Sequence, residues 1–237
     1  MQIVRFDSLE STNKYCEALD LNEVEDFTCY WALAQTAGIG QRGNQWEAEP
    51  GKNLTFSLVL HPTFLPADRQ FKLTEALSLA LCDCLKGLRD LKVKWPNDIY
   101  VGKRKICGTL VSTRLQGAQI ASAICGIGLN VNQTVFPDWV PNPTSMALLT
   151  GEEYDLEPLL KKILACIEKR YNDLKNGIDP EPEYLAHLLN INVTARYIYN
   201  EEELTATLTG IDPHGRLLLI TADGRHLSCG MKEISLI

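Results

Sequence analysis

The chain has 237 residues, 45% hydrophobic and 22% charged, a composition that excludes wholesale disorder and supports a core without a stapling metal or disulfide. With 23 Lys plus Arg against 30 Asp plus Glu, the formal charge is −7. That balance argues against a broad nucleic-acid-binding surface and leaves room for a local basic site.

In chain order, Gln2 to Phe6 reads as a short strand, followed by a helix opening near Ser11 or Thr12. Ser11, Thr12 and Asn13 all cap helices well, and a helix start also exposes amide donors. Phe27 to Ala34 and Leu54 to Leu60 are strand-like, with a polar loop between them. In that loop Gly38, Gly40 and Gly43 spell G-x-G-x-x-G. A dinucleotide fold would need a helix next and an acid about 20 residues on. Here the loop runs through Glu49-Pro50-Gly51 into a strand, and Leu58-Val59-Leu60 stands where the acid should be. Two readings remain. The loop is a polar hairpin connection with a core Trp, or it approaches an anion through its backbone, with Arg42 pairing a phosphate and Trp46 stacking on a base.

Leu73, Leu77, Ala80, Leu81, Cys84, Leu85 and Leu88 recur at helical spacing, so Arg69 to Leu88 is expected to be an amphipathic helix. Leu91 to Trp95 and Asp98 to Val101 are strand pieces broken at Pro96. Lys92, Lys94, Lys103, Arg104 and Lys105 face one acid, Asp98, in this stretch. Such a reversal of sign in an acidic chain fits a polyanion such as a nucleoside triphosphate, or a solvated hairpin tip. Asn97 and Asp98 also suit a turn. Lys105 to Thr113 and Gln119 to Val131 continue the sheet. Gly126 and Gly128 interrupt the latter strand, which implies that a backbone or ligand comes close.

Pro158 suits the first turn of a helix running to about Asn176, with Gly177 past its end. Asp179 to Glu183 is rich in Pro and Glu, and short strands follow: Ile191 to Tyr199, Leu204 to Ile211, Arg216 to Thr221 and His226 to Cys229. The turn at Asp223-Gly224 is a hairpin signal. The expected fold class is therefore α+β. A mixed-sheet body flanked by helices spans residues 1–187, and a small SH3-like β-barrel spans 188–237.

The eight cysteines are scattered, form no C-x-x-C pair and sit mostly in apolar runs, as buried thiols in a reducing compartment do. The N-terminus has no signal-peptide pattern. The longest uncharged stretch, Leu115 to Pro137, holds too many amides to span a bilayer. A cytoplasmic location without a membrane partner is expected.

The chain resembles the biotin protein ligases, also called biotin–[acetyl-CoA-carboxylase] ligases. The resemblance rests on Ser11-Thr12-Asn13, the Gly38 to Trp46 loop, Lys94-Trp-Pro-Asn-Asp98 with Lys105 and Gly108, Gly126 to Asn132, and Gly230 to Leu236. It implies an enzyme that uses ATP to form biotinyl-5′-AMP and passes biotin to a lysine of a biotin carboxyl carrier protein domain. By the same resemblance Ser11, Thr12 and Gln35 would hydrogen-bond the ureido ring of biotin, with Asn13 beside them. Gly38, Ile39, Gly40 and Gln41 would lie over it, Gly108 would border its pocket, and Lys105 would hold its carboxylate and the α-phosphate. Arg42, Trp46, Asn97 and Asn130 would serve the nucleotide. Lys105, Arg42 and Asp98 would be the catalytic set, and Asp98 would position Mg²⁺. The resemblance also allows a homodimer. Family members often carry Arg where Ile39 and Gln41 stand.

Two enzyme-related alternatives are a lipoate-type acyl-adenylate ligase and a biotin-binding module without turnover. A biotin-responsive repressor would need a winged helix-turn-helix, and only ten residues precede Ser11. The expectation is the monofunctional form, with no nucleic-acid partner.

Overall fold

The computed structural model describes residues 2–231 and 233–237, with the Arg42 side chain also outside the description. Its main body is a seven-stranded mixed sheet formed by β1 (Gln2–Leu9), β2 (Thr28–Gln35), β3 (Leu54–Leu60), β4 (Leu91–Lys94), β5 (Asp98–Val101), β6 (Arg104–Gln116) and β7 (Gln119–Leu129), in the order β1-β2-β3-β7-β6-β5-β4. Only β1 and β2 run parallel among the paired strands of this sheet. The sheet alternates as pleated strands must. Trp31, Leu58, Leu60, Cys125 and Ile127 join the large core, whereas Tyr30, Val59 and Ile124 form a second cluster with Cys16 of α1 (Thr12–Glu17). Helices therefore cover both faces.

The large core is closed by α2 (Phe71–Leu85) and α4 (Leu156–Lys175), with the short α3 (Met146–Thr150) between β7 and α4. The expected amphipathic helix is present as α2, but its two-sided pattern is not: every residue except Asp83 is buried. It lies between the sheet and α4, so both of its faces meet protein. By contrast α4, the helix expected from Pro158 to about Asn176, buries a stripe of Leu160, Ile163, Leu164 and Ile167. Sequence reading missed α3 and named no helix in or after the Pro- and Glu-rich stretch 179–183. That stretch leads into α5 (Glu181–His187), with Pro182 in its first turn, where the missing N–H costs nothing.

Beyond α5 lie β8 (Thr194–Tyr199), β9 (Glu202–Ile211), β10 (Leu217–Thr221), β11 (His226–Cys229) and β12 (Ile234–Leu236), in the antiparallel order β11-β10-β9-β8-β12. This is the small sheet expected of the C-terminal segment. It remains open among the described residues, since β11 and β12 do not pair. Its inward Tyr197, Leu208, Leu217 and Ile234 belong to the same core cluster as α2 and the large sheet. All eight cysteines are free and all but Cys166 are buried. Burial pushes the Cys16 and Cys82 thiols up to about 12, so they stay protonated and inert. Among the described residues no helix is long and apolar enough to cross a membrane.

Candidate active site

The sheet register brings distant motifs into rows. Lys94 pairs with Asp98, Asp98 with Gly108, Gly108 with Gly128, and Gly128 with Thr55, in one line across five strands. The next row is Leu110, Gly126 and Ser57. A cavity of ≈ 380 Å³ lies over this patch of sheet. Its lining includes Ser11, Thr12, Asn13, Gln35, Asp98, Lys105 and Gly108, as well as Ile39, Gly40, Gln41 and Trp46 from the loop above.

One end of the cavity is polar. Ser11 stands at the N-cap of α1 in extended conformation, but its side chain makes no cap bond among the described residues. Gln35 Oε1 takes over that task, accepting from Thr12 N at 2.7 Å and Thr12 Oγ1 at 3.1 Å. Ser57 Oγ lies 2.8 Å from Thr12 Oγ1 and donates to Asn13 Oδ1 at 2.5 Å. With its oxygen so engaged, Asn13 is 4% exposed and its Nδ2 has no partner among the described residues. A buried N–H donor left unmatched costs about 1–3 kcal/mol. This one belongs to a side chain that lines a cavity, so an acceptor supplied by a ligand would recover that cost.

The strand glycines make this possible. A Cβ at Gly126 would fall inside the Asn13 carboxamide, and one at Gly128 would fall inside the Trp46 indole. What approaches the strand is thus a pair of protein side chains, not the backbone or ligand expected from sequence. The Trp46 indole also lies beside the middle of the cavity, with Lys105 Nζ 5.6 Å from its ring centroid.

At the middle of the cavity Lys105 Nζ and Asp98 Oδ2 form an ion pair at 2.8 Å. In a regular strand Lys105 and Gly108, three apart, would point to opposite faces. A register shift in β6, opposite Ile99 and Tyr100, adds one residue, so Ile106 and Cys107 are both buried and Lys105 turns toward Gly108. A Cβ placed on Gly108 would be 3.1 Å from Lys105 Nζ. Beside the pair, Lys94 Nζ lies 5.3 Å from the Tyr100 ring centroid. Burial, helped by the charge of Asp98, pushes the Tyr100 phenol up to about 12.

Three expected site residues do not line the cavity. Gly38 is buried beneath the loop, where its carbonyl accepts from Trp46 N at 3.0 Å. Asn97 and Asn130 lie behind the wall, donating to the carbonyls of Thr109 and Thr144. Each keeps a side-chain oxygen without a partner among the described residues. The Arg42 side chain lies outside the described residues, although its backbone forms part of a 3-10 turn, Gln41–Gly43.

Sequence reasoning missed Thr55, Ser57 and Tyr100. Thr55 and Ser57 left a signal: polar residues at alternate positions of an apolar strand. It named no residue of the far wall, where Leu189, Tyr197, Leu208 and Ile234 reach the cavity from the C-terminal segment. No local pattern tells which surface a small sheet will cover. A second acidic group, Glu75, Asp179 and Glu181, stands apart from the cavity. Lys72 Nζ sits among these carboxylates, 2.8 Å from Asp179 and 2.6 Å from Glu181, so the cluster is already matched by a cation.

Residues 5–130 match the model of the biotin/lipoate A/B protein ligase family, and residues 188–234 match that of the biotin protein ligase C-terminal domain. The chain is 31% identical over 229 residues to a bifunctional ligase/repressor of Bacillus subtilis, covering 94% of this chain and 70% of that protein. It is 30% identical over 211 residues to the biotin–[acetyl-CoA-carboxylase] ligase of Paracoccus denitrificans, covering 83% and 86%. The biotin protein ligase of Aquifex aeolicus, in complex with biotin and ATP, superposes with a TM-score of 0.82 at 25% identity, over 100% of this chain and 98% of that one.

Proposed function

The chain belongs to the biotin/lipoate A/B protein ligase family, and from that premise we propose that it activates biotin as biotinyl-5′-AMP and transfers it to a lysine of a biotin carrier domain. The observation that carries this reading is the polar end of the cavity, above all the unmatched Asn13 Nδ2 beside Ser11, Thr12 and Gln35. The ureido ring of biotin offers a carbonyl acceptor and two N–H donors. The dithiolane of lipoate offers neither, so a lipoate ligase would leave these groups unpaired.

The chemistry follows from the row of charges. Biotin's carboxylate, with a pKa near the ordinary value of about 4.3, is ionised at neutral pH and needs no base to attack. Its approach to the α-phosphate brings anion to anion, so Lys105, near the middle of the cavity, is the group to hold both. Asp98 keeps the amine in place before substrates arrive. Among the described residues Asp98 is the sole carboxylate lining the cavity. One carboxylate plus substrate phosphates is the usual donor set for Mg²⁺, so the residues fit that ion. When bound it would supply further positive charge to the phosphates. The mixed anhydride must then be kept from water, a task suited to the Gly38 to Trp46 loop over the cavity. Eight free thiols suit a reducing compartment such as the cytoplasm.

Incubation with biotin, Mg-ATP and an apo carrier domain should add one biotin to a single carrier lysine, read by mass spectrometry. Lipoate in place of biotin should give no adduct. Equal labelling by lipoate would overturn the assignment of the polar end.

A further inference from the structure

Trp95 and Pro96 line the cavity between Lys94 and Asn97-Asp98, yet the reaction itself assigns them no chemical step. Both are held from outside the large sheet. The Tyr184 hydroxyl, on α5, donates to the Pro96 carbonyl at 2.8 Å. Trp95 Nε1 donates to the Gly215 carbonyl at 2.9 Å, in the turn between β9 and β10. Tyr184 is fully buried and meets Phe71 edge-on, with ring centroids 5.8 Å apart. Phe71 in turn abuts Gly215 so closely that a Cβ there would enter its ring. The turn is itself tied down, since the Asp212 carboxylate accepts from His214 N and Arg216 N at 2.9 and 3.0 Å.

We propose that Tyr184 and the Asp212–Gly215 turn are positioning elements for the nucleotide half of the reaction. They fix the Trp95-Pro96 backbone so that Asp98 meets Lys105 and Asn97 meets Thr109. The inference rests on the ligase reading above. It also gives the C-terminal sheet a route to the chemistry that needs no residue of that sheet to touch the reacting atoms. The ureido end of the biotin site is built on α1, β2, β3 and β7 and shares none of these holds; only biotin's carboxylate meets Lys105, so nucleotide binding should respond more than biotin binding.

The test measures equilibrium binding of biotin and, separately, of Mg²⁺ with α,β-methylene-ATP, which cannot be cleaved. Wild type is compared with Tyr184→Phe, which keeps the ring and loses the donor, and with Trp95→Phe, which loses the donor and trims the indole to a phenyl ring. Nucleotide affinity should fall roughly three- to tenfold in each, the worth of one hydrogen bond. Biotin affinity should stay within about twofold, and the double variant should lose less than the product of the two effects, because both free the same segment. Unchanged nucleotide binding in both variants would overturn the proposal. So would an equal fall in biotin binding, the mark of general loosening. Binding is read apart from turnover. A wild-type protein that binds both ligands yet labels no carrier would count against the transfer step and leave the positioning result standing.

Discussion

Lys105 illustrates how much rests on one side chain. Its Nζ lies 2.8 Å from Asp98 and 5.6 Å from the Trp46 ring centroid, and among the described residues lining the cavity the other lysine, Lys94, lies over Tyr100. Lys105→Ala should therefore abolish adenylate formation, at a cost on the order of 3 kcal/mol or more in the transition state. Biotin-dependent pyrophosphate release within about tenfold of wild type would refute the role. Gly126 tests the other end. In Gly126→Ala the new methyl group must displace the Asn13 carboxamide, and overpacking of that kind costs about 1–3 kcal/mol. Calorimetry should show biotin affinity reduced by roughly tenfold or more, with far-UV dichroism unchanged. Unaltered affinity would show that Asn13 is not part of the biotin site.

At the scale of elements, β6 and α2 show where pattern and structure part. The strand pattern of β6 is plain in the sequence, but the extra residue that turns Lys105 to the cavity side is not. Helix α2 shows clear helical spacing, yet it buries Lys72 and Glu75 along with its leucines. Glu75 is 1% exposed, and burial raises its carboxyl from 4.5 to about 7, against the opposing pull of Lys72. A carboxyl raised on folding favours the fold when protonated. Its contribution is fully present below about pH 4.5 and is lost as pH rises through about 7. Glu75→Gln removes that loss while keeping the shape. Relative to wild type, the variant should gain stability steadily between about pH 5 and 8, by roughly 1–3 kcal/mol in total. Parallel urea-unfolding curves at both ends of that range would contradict this account.

For the molecule as a whole, the C-terminal segment is part of the same core rather than an appendage, since Tyr197, Leu208 and Leu217 share the cluster of α2. The contact between Gly215 and Phe71 is one close point of that junction. The residue has φ +79, and a side chain there would meet the Phe71 ring. Gly215→Ala combines a left-handed backbone with a steric wedge, so it should lower global stability by roughly 2 kcal/mol or more. A single unfolding transition, shifted as one, is expected in calorimetry. A wild-type-like melting temperature would show that the two parts are more loosely joined than described.

What the sequence by itself determined were the features carried by neighbours along the chain. The strand Leu54–Leu60, the helix opening at Ser11-Thr12, the α4 helix and the turn-rich C-terminal strands all follow from spacing, caps, breakers and β-branched runs. The residue types of the site were legible too, because charge reversal and strand glycines are local anomalies. Only the tertiary structure decided how these pieces meet. The register places Lys94, Asp98, Gly108, Gly128 and Thr55 in one row, and a bulge swings Lys105 onto it. Ser57 becomes a partner of Asn13 although 44 residues separate them, and Asn97 and Asn130 withdraw behind the wall. The difference has a physical cause. Backbone propensity is set within a few residues, whereas register, burial on two sides and the placing of an unpaired donor depend on hydrogen bonds and contacts between segments that local sequence does not encode.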